Sequence, residues 1–102
     1  MQEDEYEFGA RLDDEEANVV NALTAREVEA IDGALLGSTT VAWAKVAMVL
    51  AKQIKPRPDV PEGVPLEFYW SRLCGLVECG DLESRGDLRR ARFSEVRRAA
   101  TR

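Results

Sequence analysis

The sequence predicts an α+β domain, mostly α, on three observations. Three stretches repeat apolar residues at helical spacing, a glycine and a run of four prolines separate them, and two short strand candidates flank Gly86 and Asp87. With 102 residues the chain can build one core and is too short for two.

Residues 1–22 read as an acidic N-terminal arm, flexible or partly helical. Tyr6 and Phe8 are isolated aromatics there, and only Asp13 to Asn21 has helical potential, with Ala17, Val19 and Val20 available to dock. The first firm helix starts at Thr24, because Thr24 and Glu27 have capping-box spacing and Leu23 can staple onto Val28. Its inward stripe is Val28, Ile31 and Leu35, and Gly37 is expected to end it as a left-handed C-cap.

Ser38, Thr39 and Thr40 offer acceptors for the free amides of a second helix running to about Ile54. Trp43, Val46, Ala47, Leu50 and Ile54 fall on one face, and Val41, Met48 and Val49 widen it, so this helix should be the most buried. Pro56, Pro58, Pro61 and Pro65 forbid helix between Lys55 and Pro65, and Pro65 suits the first position of a third helix. That helix turns Leu66, Tyr69, Trp70, Leu73, Leu76 and Val77 inward, leaves Glu67, Ser71 and Glu78 outward, and stops at Gly80. Strands are expected over Asp81 to Arg85 and Phe93 to Arg97, and residues 99–102 form a frayed tail. Three helices followed by a two-stranded hairpin are the parts of a winged helix. Residues 23–98 are therefore expected to form a three-helix winged-helix (helix-turn-helix-like) domain with a C-terminal two-stranded β-hairpin wing.

The run Trp43-Ala44-Lys45-Val46-Ala47, the run Tyr69-Trp70-Ser71-Arg72-Leu73, the stretch from Leu76 through Gly80, Arg85, Gly86 and Asp87 to Leu88, and the pair Glu95-Val96 together resemble a bacterial family of unknown function. The resemblance covers residues 28–97 and implies a small winged-helix-like domain, usually found C-terminal in longer proteins. It implies no activity and no functional residues. A short acidic arm stands here where a larger N-terminal domain is common in that family.

Composition excludes several chemistries. There is no histidine, which removes histidine-based triads, histidine metal sites and histidine pH switches. Cys74 and Cys79 would lie about 140° apart around a helix, so they are expected as free thiols in a cytoplasmic protein. No apolar run approaches the roughly 20 residues of a membrane span, and the acidic start is unlike a secretory or transit peptide. No cofactor, metal site or catalytic residue is expected, since no Gly-rich phosphate loop is present and no base stands ready to activate Cys74. Tyr69, Trp70 and Trp43 are expected in the core, with Phe68 the aromatic best placed for an exposed contact.

Charge is polarised. Residues 1–16 hold eight carboxylates against Arg11, and residues 85–102 hold seven arginines against Asp87 and Glu95. Arg72, Arg85, Arg89, Arg90, Arg92, Arg97 and Arg98 are the candidates for contact with a partner or with phosphate. The outward residues of a groove-reading third helix must approach phosphates and base edges, and Glu67 and Glu78 on that face repel a phosphate backbone, although a single carboxylate can accept from cytosine. The expected function is accordingly a non-catalytic binding module that docks a protein partner or its own acidic arm. The alternative is a DNA-binding transcriptional regulator that uses the basic wing.

Overall fold

Two capping boxes begin the folded chain. The structure, a computed structural model, describes residues 7–100; Tyr6, Thr101 and Arg102 lie outside the described residues. Helix α1 (Asp14–Asn21) is capped by Asp13, which accepts from the Glu16 amide while Glu16 accepts from the Asp13 amide. Helix α2 (Ala25–Gly37) repeats the device with Thr24 and Glu27 and buries Ile31 and Leu35. Gly37 does not serve as a left-handed cap. It is the last helical residue, and Ser38 follows at φ −91°. The terminal carbonyls accept from the Ser38 and Thr39 amides and also from their side chains, Ser38 Oγ donating to the Ala34 oxygen and Thr39 Oγ1 to that of Leu36.

The continuous second helix expected over residues 38–54 does not form. Strand β1 (Ala44–Lys45) comes first, helix α3 (Val46–Ala51) follows, and a 3-10 turn (Lys52–Ile54) ends the segment. The reason is tertiary pairing, because β1 adds to a sheet and the Val46 amide donates to the Ser94 carbonyl at 3.0 Å. Val46, Val49 and Leu50 are buried, but Val41, Met48 and Ile54, counted in the apolar surface of that helix, are exposed. Gln53 is buried and satisfied, its amide donating to Ser38 Oγ and to the Val49 oxygen.

Helix α4 (Leu66–Glu78) has Pro65 at its N-cap, one residue earlier than expected, and buries Tyr69, Leu73 and Leu76. At its end Gly80 takes φ +94°. The Gly80 amide then reaches the Val77 oxygen and the Asp81 amide that of Leu76, a full Schellman closure.

Strands β2 (Leu82–Arg85) and β3 (Glu95–Arg98) pair antiparallel, and β1 pairs on the other side of β3. The expected two-stranded hairpin is thus a three-stranded antiparallel sheet in the order β1-β3-β2. Ala99, assigned to the tail in the sequence, donates its amide to Asp81. Among the described residues the fold is α+β, with four α-helices and this sheet. The core joins α2, α3 and α4 to the inner sheet face through Ile31, Leu35, Leu50, Leu73, Leu82 and Val96. No described helix is long and apolar enough to cross a membrane.

Candidate functional site

The register of β2 on β3 decides what the arginines face. Glu83 stands opposite Arg97 and Arg85 opposite Glu95, and each pair closes a salt bridge at 2.7 Å. Pleating puts these four side chains on the sheet face away from Leu82 and Val96. Trp43, expected on a core helix, lies just before β1, partly exposed on that outer face. The Arg85 guanidinium carbon is 4.2 Å from its ring centroid and that of Arg97 is 4.4 Å away, so both cations contact the indole.

The other candidates are also engaged. Arg72 donates twice to Asp32 on α2. Arg98 donates through Nε and Nη2 to the Leu36 oxygen, at 3.1 and 2.8 Å, placing a cation on the C-terminal end of α2. Arg90 stacks over Phe93 with 4.7 Å from its guanidinium carbon to the ring centroid. Arg92 lies exposed on the 3-10 turn Ala91–Phe93. The seven residues therefore do not converge on one patch. They divide among the sheet face, the α2–α4 seam, the end of α2 and the loop after β2. Pairing of Glu83 with Arg97 and Arg85 with Glu95 was available from the sequence, since an antiparallel hairpin that faces one pair faces the other two residues on. The role of Trp43 was not, because it depends on β1.

Arg89 builds the second feature, a cleft between the first half of α4 and the loop joining β2 to β3. The Phe8 amide donates to the Arg89 carbonyl at 2.8 Å, and Arg89 Nε donates back to the Phe8 carbonyl at 3.3 Å. Arg89 Nη2 lies 3.4 Å from the Glu7 carboxylate. Phe8, an isolated arm aromatic in the sequence, is in fact buried and stacks on Trp70 with centroids 5.9 Å apart and planes inclined by 13°. Trp70 Nε1 donates to the Leu88 carbonyl at 2.9 Å. Glu67, expected outward, is partly buried and accepts from the Gly9 amide at 2.9 Å, whereas Glu78 is exposed. Phe68 is partly buried against the core rather than exposed.

The remaining chemistry-bearing groups stand apart. Burial, reinforced by Glu78, pushes the Cys74 thiol up to about 11, which leaves it protonated at neutral pH. Cys79 is exposed, and both thiols are free. A hollow of about 450 Å³ lies between the proline-rich loop and α4, walled by Gln53, Arg57, Val60, Leu66 and Tyr69. Burial raises the Tyr69 hydroxyl above its ordinary pKa, so that phenol is neutral. Among the described residues no three Cys, Asp or Glu side chains gather as metal ligands. No protein-family model, curated protein or solved structure matches the chain.

Proposed function

We propose that the chain is a non-catalytic winged-helix module that docks a protein segment. The order of elements from α2 through β1, α3, α4, β2 and β3, with β3 central, supports that fold. The segment carrying the family resemblance, residues 69–88, runs from α4 through β2 into the loop that serves as the wing. Two free thiols suit the reducing cytoplasm of a bacterial cell.

The observation that carries the docking reading is the seating of Glu7 to Gly9 between α4 and the wing loop, where a winged helix would face a DNA groove. Pairing of Arg72, Arg85 and Arg97 with carboxylates argues the same way, because each must break an existing contact before it reaches a phosphate.

DNA binding by the wing is the second reading, favoured by the exposure of Arg85, Arg89, Arg92 and Arg98. Backbone amide NMR of the full chain, titrated with mixed-sequence duplex at low and physiological salt, separates the two. Docking predicts no shifts at physiological salt. Shifts along α4 and residues 85–98 that fade steeply with added salt would establish the second reading.

A further inference from the structure

We infer that the cleft between α4 and the wing loop is a binding site for an extended peptide carrying an acidic residue, an aromatic and a glycine in succession, and that residues 7–9 occupy it as an intramolecular ligand. The inference rests on the docking reading above and names the chemistry of the partner.

Each position of the arm is recognised by a different group. Arg89 contacts both main-chain groups of Phe8, its carbonyl accepting from the amide and its guanidinium donating to the oxygen. This is the main-chain recognition by which surfaces bind extended segments. The ring of Phe8 is the apolar anchor against Trp70, and the Glu7 carboxylate meets the same guanidinium. Gly9 offers its amide to Glu67 at φ +102°, a conformation that favours glycine. A Cβ there would rest 3.6 Å from Arg89 Nε and 3.7 Å from the Trp70 ring, so the preference comes from the backbone and not from crowding.

The receptor walls are tied to the body independently of the arm. Trp70 projects from a regular helix and its indole N–H is bound to Leu88, which fixes the distance from α4 to the loop. The Asp87 carboxylate accepts from the Arg89 amide, and the Arg90 amide donates to the Asp87 carbonyl, setting the turn that presents Arg89. By contrast Glu7, Gly9, Ala10 and Arg11 are exposed, leaving Phe8 as the single buried anchor among the described residues of the arm. A hollow of about 220 Å³ continues beyond Gly9 between Leu12, Phe68 and Ser71, room that a longer ligand can use. An external peptide of this chemistry must compete with a tethered ligand at high local concentration, so its apparent affinity falls with the fraction of clefts left open.

The test uses the full chain and its Phe8→Ala variant, each titrated with a synthetic peptide of residues 7–13 and followed by amide NMR. Phe8→Ala is expected to keep dispersed amide signals and to bind the peptide about tenfold or more tighter than the parent chain. The shifts should fall on the Trp70 indole N–H and the amides of Leu88 to Arg90. A peptide with alanine in place of its phenylalanine should shift nothing. Unfolding of Phe8→Ala overturns the inference, because a displaceable ligand cannot be required for the fold. So does equal binding to the two chains, or silence in both. Arg89→Ala added to Phe8→Ala removes the guanidinium that recognises the peptide main chain and its acidic residue, and should weaken peptide binding relative to Phe8→Ala alone; unchanged binding would overturn the inference. Concentration-dependent dimers of the parent chain in sedimentation would assign the cleft to the arm of a second copy and overturn an external partner. Duplex DNA added to Phe8→Ala separates the levels. Shifts along α4 with DNA would overturn the docking reading itself, whereas silence to peptide and DNA together overturns only the peptide assignment.

Discussion

Arg72 on α4 faces Asp32 on α2 through two parallel hydrogen bonds, Nε to Oδ1 at 2.9 Å and Nη2 to Oδ2 at 2.7 Å. The bidentate fork fixes the rotation of one helix against the other as well as their separation. The hydrogen bond to Asp32 raises the Arg72 pKa above the ordinary arginine value, so the pair remains charged through the accessible pH range on the arginine side. With Arg72 40% and Asp32 24% exposed, water screens the attraction. A double-mutant cycle of Arg72→Ala and Asp32→Ala in urea should return a coupling of about 0.5 to 1 kcal/mol. A coupling indistinguishable from zero would remove the pair as a determinant of helix orientation.

Two kinds of glycine should respond in opposite directions to alanine. Gly86 sits at φ +87°, and a Cβ would stand 2.6 Å from the Phe93 carbonyl oxygen, a backbone atom that cannot swing away. Gly86→Ala should therefore destabilise by about 2 kcal/mol or more. Gly33 lies inside α2 with open space around the added carbon, and Gly33→Ala should stabilise by about 0.5 to 1 kcal/mol. Urea midpoints at constant slope decide both, and a stabilised Gly86→Ala would show that the loop has another conformation.

Trp43 should contribute through its π face as well as through its area. Trp43→Phe keeps an aromatic ring beside Arg85 and Arg97, whereas Trp43→Leu keeps only apolar bulk. The leucine variant is expected to be less stable than the phenylalanine variant by about 0.5 to 1 kcal/mol. Equal thermal midpoints would reduce the contact to ordinary packing.

The thiols should differ in reactivity and in their effect on alkaline stability. Iodoacetamide at pH 8 should label exposed Cys79 well before Cys74, as read by peptide mass spectrometry. Because burial raises the folded pKa of Cys74 from 9.0 to about 11, the native state holds its proton more tightly than the unfolded chain. Stability due to this group is therefore complete below about pH 9 and is lost as pH rises toward 11. Cys74→Ala should flatten that part of the stability profile, and an unchanged slope would contradict the assignment.

Local signals in the sequence were legible wherever a few neighbouring residues decide the conformation. Thr24 with Glu27 marks the start of α2, Gly80 the end of α4, and the prolines the loop between α3 and α4. The departure from a continuous helix over residues 38–54 has a physical cause. Trp43, Val46, Ala47 and Leu50 have helical spacing, yet Ala44 and Lys45 pair with Val96 and Glu95 some fifty residues later, and that distant ladder overrides local preference. The arginines stand out in the sequence by composition, but the partners of Arg72 and Arg98 do not, because Asp32 and Leu36 reach them only through the tertiary fold. Helical geometry alone turns Glu67 outward, and only the returning arm gives its carboxylate the Gly9 amide.

The central position of β3 also dictates when the sheet can form during synthesis. β1 and β2 do not pair with each other, and among the described residues each has its only strand partner in residues 95–98, the last of these elements to leave the ribosome. Until then the helices can gather locally, but Leu82 has no strand beside it and Trp43 lacks the Arg97 that covers it. Nascent chains stalled before Glu95 should thus display exposed apolar surface and unpaired strand backbone, the form in which chaperones and proteases meet a polypeptide.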